Sequence, residues 1–203
     1  MIISPHPQRS KEWFQERLAL PTASEFEKIV TTKGKPSESA TKYLYELVGE
    51  YQTKRNTERF VSPKMRRAAE REPEAREMYQ LITGNEVQEV GLCWKDEQKR
   101  FGASPDGLVD SEGGFETKDA EPHIQVMRFI EKWNGMEHWT QCQGGMLVCG
   151  RKWWDLQSYC EGMEPIIIRI WRNEEFIKKL EVELINFSDR LFSLIRKIKG
   201  GLK

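Results

Sequence analysis

The sequence predicts an α/β or mixed α+β fold, one mixed sheet with helices on its faces, and three observations predict it. The first third carries apolar residues at helical spacing in successive segments. The middle, from Glu86 to Thr117, alternates apolar and polar residues between turn-forming Gly, Pro and Asp. The last third adds two helical segments, a strand-like pair and a long amphipathic helix. At 203 residues the chain fits one domain, spanning 1–203, with enough residues to bury a core without staples.

Taken in order, Ser10 to about Ala19 reads as a short helix with Trp13, Phe14 and Leu18 on one apolar stripe. Pro21-Thr22-Ala23-Ser24-Glu25 restarts the chain and offers Thr22 or Ser24 as the N-cap of a helix through Phe26, Ile29 and Val30. Unpaired N–H groups and the helix dipole make such a terminus a ready phosphate site, although most N-cap serines only cap. Arg17, one turn earlier, sets this one apart. Lys33 to Ser39 is a polar loop, and Ser39 to Gln52 a core helix with Ala40, Tyr43, Leu44, Leu47, Val48 and Tyr51 at helical spacing. Thr53 to Ser62 is a basic, irregular loop. Pro63 opens a long helix that Gly84-Asn85 ends near Thr83, with Pro73 expected to bend or split it.

Glu86 to Phe101 supplies one or two strands around a Lys95-Asp96-Glu97-Gln98 turn. Strands from Gly102 to Val109 and Gly114 to Thr117 follow, so this part is a β-meander. Pro122 to Lys132 and Glu137 to Cys149 are helical, the second with Trp139, Cys142, Met146 and Leu147 as its stripe, Gln141 and Gln143 beside it, and Gly150 as its stop. Arg151 to Tyr159 and Ile166 to Trp171 are strands. From Asn173 a long helix places Phe176, Leu180, Leu184, Phe187, Leu191, Leu194 and Ile198 three and four residues apart.

Composition narrows the function classes. Hydrophobic residues make up 38%, and 32 Lys and Arg balance 32 Asp and Glu, which argues against indiscriminate coating of nucleic acid. A local basic track remains, through Lys33 and Lys35, then Lys54, Arg55 and Arg59, then Lys64, Arg66 and Arg67, although such charge is more often a solvated face. No apolar run approaches the roughly 20 residues of a membrane span, and the N-terminus has no signal-peptide profile, so an intracellular protein with no membrane role is expected. Cys93, Cys142, Cys149 and Cys160 form no CxxC pair and are expected as free buried thiols. His6, His123 and His138 receive no ligand role.

Chemistry concentrates in Ala103-Ser104-Pro105-Asp106-Gly107-Leu108 and Phe115-Glu116-Thr117-Lys118. Along a strand Glu116 and Lys118 share one face, Phe115 and Thr117 the other, and the Thr117 carbonyl lies between the charged side chains. Asp106, Glu116 and that carbonyl are three hard oxygens of the kind Mg²⁺ accepts while keeping waters for a phosphate. Lys118 stands where it can orient a nucleophile or stabilise charge on phosphorus. The pattern fits phosphodiester hydrolysis. It also describes a solvated hairpin with a surface ion pair, and context has to decide.

Context comes as separated blocks in order. From about Trp13 to Glu161 the chain resembles the phage lambda-type recombination exonucleases, which share the PD-(D/E)xK nuclease core. Trp13-x-x-x-Arg17-Leu18 with Thr22-Ala23-Ser24 matches the first block, Arg67 to Arg76 the second, Ser104-Pro105-Asp106-Gly107 with Glu116-Thr117-Lys118 the third, and Gln141-Cys142-Gln143 the fourth. The family usually has Gly where Ala68 stands, and commonly Cys-Pro where this chain has Asp119-Ala120.

The resemblance implies a restriction-endonuclease-like core and a Mg²⁺-dependent exonuclease, with Mn²⁺ able to substitute. Such an enzyme degrades one strand of linear double-stranded DNA from 5′ to 3′, releasing mononucleotides and leaving a 3′ overhang for recombination. Asp106, Glu116, Lys118, Glu72 and Gln141 take the catalytic positions, and Asp106, Glu116, Thr117 and Glu72 the metal positions. Arg17, Ser24 and Ser104 match the residues that hold the 5′-phosphate of the DNA end. It further implies a homotrimeric ring around the DNA, a single-strand annealing protein as partner, and a phage- or prophage-encoded protein in the cytoplasm of a bacterial host. Two alternatives stay open: a related nuclease acting as an endonuclease or on single strands, which covalently closed circular DNA discriminates, and a catalytically silent DNA-end binder, which would shift DNA in a gel without degrading it.

Overall fold

The computed structural model describes residues 1–55 and 63–200, without the side chains of residues 64 and 65. In order come β1 (Ile2–Ile3), α1 (Lys11–Glu16), a 3₁₀ turn (Ala23–Lys28), α2 (Ala40–Thr53), α3 (Pro63–Thr83), β2 (Val87–Gln88) and β3 (Cys93–Trp94). Then follow β4 (Gly102–Ala103), β5 (Gly107–Val109), β6 (Gly113–Asp119), α4 (Pro122–Ile130), a second 3₁₀ turn (Met136–His138), α5 (Trp139–Cys149), β7 (Trp153–Tyr159), β8 (Ile166–Trp171) and α6 (Glu174–Lys199). The expected basic loop lies, from residue 56 to 62 and so including Arg59, outside the described residues, as does the Lys64 side chain.

The main sheet has the order β2-β5-β6-β7-β8. Only β6 and β7 run parallel, joined through α4 and α5, and the other pairs are antiparallel. The mixed sheet with helices on its faces is as the sequence predicts. The single meander is not: β3 and β4 leave the main sheet and pair with β1 in a smaller antiparallel one. Two residues of β1 are too few to show alternation, so nothing local in the sequence marks the partner that draws β3 away.

The two faces of β6 pack differently. Its register with β7 sets Phe115 beside Asp155, Thr117 beside Gln157 and Asp119 beside Tyr159 on one face. α3 covers this face: the Tyr79 ring lies tilted against Phe115 at 4.5 Å, and its hydroxyl donates to Asp155 at 2.7 Å. Burial, and then Asp155, push the Tyr79 phenol up to about 12, so it stays a donor. The other face looks toward α5 and the larger core, where Phe26, Leu44, Met146, Leu156, Leu180 and Leu184 are fully buried. Each such side chain contributes about 2 kcal/mol.

α5 approaches closely because it carries glycines where it meets rings. A Cβ on Gly144 would lie 2.5 Å from the Phe26 ring, and one on Gly145 2.7 Å from Trp154. The 3₁₀ turn and β7 therefore both lie against α5, which brings Ser24 and Gln141 to one cavity.

Several boundaries move. α1 stops at Glu16, with the Ser10 hydroxyl accepting from the Trp13 amide at 3.1 Å, and Ala19 turns left-handed at φ 55°. Trp13 is buried, but Phe14 is 39% exposed and leaves the expected stripe. The helix expected after Thr22 is a six-residue 3₁₀ turn in which Thr22 makes no side-chain cap bond, so the helix-dipole argument for a phosphate there fails. Pro73 sits inside an unbroken α3, because the carbonyl it orphans finds another donor. All four cysteines are free and buried. Among the described residues no helix is long and apolar enough to cross a membrane.

Candidate active site

Asp106 immediately precedes β5, whose pairing with β6 begins at Gly107 and Phe115. Past Phe115 the edge of β6 has lost its strand partner, and the Asp106 carboxylate replaces it, accepting the Thr117 amide at 2.7 Å. One residue's N–H and C=O point to the same edge of a strand, so the Thr117 carbonyl lies on the Asp106 side. Loss of water pushes the Asp106 carboxyl well above its ordinary range, and Glu116 and Glu72 add to the shift.

Glu116, Lys118 and Gln141 close a triangle on the opposite face. The Glu116 carboxylate accepts from the Lys118 ammonium at 2.8 Å and from the Gln141 amide at 2.7 Å, and the Gln141 oxygen accepts from Lys118 at 3.0 Å. Burial opposes the Lys118 charge, but Glu116 and Asp106 outweigh it and raise the pKa. Lys118 is therefore an ammonium at ordinary pH. His138, at the start of α5, is pushed down to about 4 by burial and by that ammonium.

Glu72 faces the same region from α3, on a cavity it shares with Asp106, Glu116 and Thr117. Its carboxylate pairs with Arg9 and, at 3.7 Å, with Arg76. Arg76 also donates to the Asp106 carbonyl at 3.4 Å, tying α3 to the turn that presents Asp106. Neither Arg9 nor Arg76 is marked by sequence spacing; both act through contacts between distant segments.

The end-binding triplet gathers on the other side. Ser104 follows β4, and its hydroxyl accepts from Arg17 at 3.0 Å and from the Trp13 indole at 3.2 Å. Arg17 lies 4.4 Å over the Trp13 ring, and the Thr22 and Ser24 hydroxyls are 3.4 Å apart. One cavity of about 230 Å³ is lined by Arg17, Ser24 and Ser104 together with Glu116, Lys118 and Gln141. All nine residues read from the sequence thus fall around two adjoining cavities, with Glu116 lining both.

Asp119 is turned from the triangle by the alternation of β6. It receives Arg67 at 2.8 Å and Arg71 at 3.3 Å, with 3% of its side chain exposed. The acid next to Lys118 is a clamp on α3.

Among the described residues no three His, Cys, Asp or Glu side chains converge as a metal cage. Two carboxylates and a carbonyl form a smaller, all-oxygen set, which suits Mg²⁺ because that ion keeps several waters. The residues present fit it.

Residues 12–152 match the model of the YqaJ-like viral recombinase domain, well over half of the chain. The chain belongs to this family. It is similar to the alkaline exonuclease LHK-Exo of Laribacter hongkongensis, with 31% identity and a TM-score of 0.82 over 94% of this chain and 96% of that one. LHK-Exo in complex with dAMP matches at 32% identity and the same TM-score of 0.82. A phage-related exonuclease of Haemophilus somnus 129PT shares the fold, at TM-score 0.72 and 14% identity over 88% of this chain and 96% of that one. No curated protein matches the sequence. The YqaJ-like match and LHK-Exo both cover the blocks on which the resemblance to lambda-type exonucleases rests.

Proposed function

We propose that the protein is a Mg²⁺-dependent exonuclease that removes mononucleotides from the 5′-phosphorylated ends of linear duplex DNA, leaving a 3′ single strand for recombination. The observation that carries this reading is the shared cavity, in which Arg17, Ser24 and Ser104 stand beside Glu116, Lys118 and Gln141. An end-anchoring group and a hydrolytic group a short distance apart suit a nuclease that measures its cut from the terminus. The dAMP bound by LHK-Exo is a mononucleotide of the class such a reaction releases.

Asp106, Glu116 and the Thr117 carbonyl would hold the Mg²⁺, for which Mn²⁺ can substitute, with Glu72 as a further acid. When bound, the ion supplies Lewis-acid polarisation of the scissile phosphate. Lys118, already protonated, contributes charge and N–H donation to the developing phosphorane oxygens and does not remove a proton. Gln141 holds Glu116 and Lys118 in register through both ends of its amide. Arg17 offers a planar guanidinium to the terminal phosphate, with its orientation set by the Trp13 ring.

As in the lambda-type enzymes it resembles, the protein would work as a three-membered ring and hand its product to an annealing protein. Light scattering checks the ring. The activity is tested on linear duplexes labelled at either end, with and without 5′-phosphate, in Mg²⁺. Preferential loss from the 5′-phosphorylated strand is expected. Equal degradation of both ends, or undiminished activity in Asp106→Ala, would overturn the reading.

A further inference from the structure

We propose that Arg9 is a phosphate contact of the bound DNA strand, stationed between the end-anchoring cavity and the carboxylates by a defect in α3. The inference rests on the reading of the site as a DNA-end nuclease.

The backbone around Arg9 is held firmly. Gln8 donates its amide to the carbonyls of Val90 at 3.0 Å and Pro105 at 2.7 Å, and the Ser10 hydroxyl caps α1. Between them Arg9 adopts a left-handed conformation at φ 68°, which costs a non-glycine residue on the order of 1 kcal/mol. That strain directs the side chain across to α3.

There it meets an irregularity peculiar to this helix. The Ala69 carbonyl would normally accept from the amide of residue 73, but residue 73 is proline and has none. Arg9 supplies the missing donor through Nη1 at 3.3 Å, while Nη2 pairs with Glu72. Ala69 and Glu72 thus park the guanidinium at the mouth of the site.

Parking leaves it available. Its side chain is 52% exposed, and a guanidinium with these two partners has N–H donors to spare. Arg9 is the exposed end of the pair, and when it turns to a phosphate the more buried Glu72 keeps Arg76 at 3.7 Å. Arg9 lines the cavity of Arg17, Ser24, Ser104 and Lys118, and also that of Glu72, Asp106, Glu116 and Thr117. A strand anchored at Arg17 and cut at Asp106 would run past it. Bidentate recognition of phosphate is what a planar guanidinium does best. If Arg9 were only a splint for α3, water could serve the exposed carbonyl as well.

The test is fluorescence anisotropy of a 5′-phosphorylated duplex in EDTA across a salt series. Variants are R9A, R9G, R17A, P73A and the double variant R9A/P73A. Gly takes φ 68° without strain, so R9G guards against misfolding, and P73A returns the amide that Ala69 lacks. Expected are a roughly tenfold weaker affinity in R9A and R9G and a salt slope smaller by about 0.9, with the same loss in the P73A background. Unchanged binding in R9A and R9G, or a loss that P73A cancels, would overturn the proposal. With R17A weakened, that result removes only the role of Arg9. Unchanged binding in R9A, R9G and R17A alike removes the end-binding reading as well.

Discussion

On one face of β6 Glu116 shares Lys118 with Gln141; on the other, three residues on, Asp119 is held by Arg67 and Arg71. Both are carboxylates next to cations. The difference lies in what surrounds the pair. Asp119 meets two guanidinia from a neighbouring helix, which also reach Glu121 and Glu161 and so tie α3 to the chain beyond β6 and β7. Glu116 meets one ammonium and one amide and stands near Asp106, whose carboxyl it and Glu72 push up. The first ties elements together; the second shifts the protonation of a neighbouring acid, and such a perturbed group in a cleft points to chemistry.

The largest expected effect follows from disturbing the Glu116 cluster. Glu116→Gln should lower exonuclease turnover by roughly a thousandfold in a single-turnover assay. Asp106→Asn should be equally inactive yet melt higher. A carboxyl whose folded pKa is raised costs stability at every pH above its unfolded value, and the amide removes that cost while still accepting from Thr117.

Burial and the Lys118 ammonium also hold the neighbouring His138 neutral. His138 is held neutral down to about pH 4, whereas an unfolded histidine takes up a proton near 6.5. Between those values the unfolded state binds more protons, so stability is present above about 6.5 and falls as pH drops toward 4, by up to about 3 kcal/mol. Urea titrations at pH 7, 5.5 and 4.5 should show a decline that is shallower in His138→Asn.

On the structural face, Asp119→Ala should lower the melting temperature by several degrees while activity, assayed well below the transition, stays within a few-fold of the parent. A thousandfold loss there would erase the distinction between the faces. The smallest effect belongs to Ser24→Ala, which should weaken binding of a 5′-phosphorylated end by about 1 kcal/mol and leave an unphosphorylated end unaffected.

Much of this was legible in the sequence because it depended on local period or spacing. α2 and α6 show through apolar positions three and four apart, and the Asn173 cap of α6 bonds the Phe176 amide at 2.9 Å. Glu116 and Lys118 stand out because alternation along one strand sets them on one face, Asp106 because of its Pro-Gly turn, and Arg17 and Ser24 as a weak phosphate signal; the family resemblance added Glu72, Ser104 and Gln141. What escaped was set by tertiary pairing. The split of β3 and β4 from the main sheet depends on two residues of β1. The direction of Asp119 depends on Arg67 and Arg71, and the role of Arg76 on its contacts with Glu72 and Asp106. The short 3₁₀ turn at Ser24 has the sequence signals of an α-helix, but in the fold its Phe26 is packed against Gly144 of a distant helix, and such tertiary context overrides local propensity.

The pairing of β1 with β3 also has a kinetic side. Ile2 lies against Trp94, and Gln8 reaches Val90 and Pro105, so the segment that carries Arg9 docks only on structure made by the middle of the chain. Closing so long a loop is slow beside helix formation, and contacts of this separation form late. In pulsed hydrogen exchange during refolding, the Ser4 amide, bonded to Leu92 at 2.8 Å, should gain protection after those of α2 and α6. The N-terminal wall of the cavity would then assemble after those helices have formed.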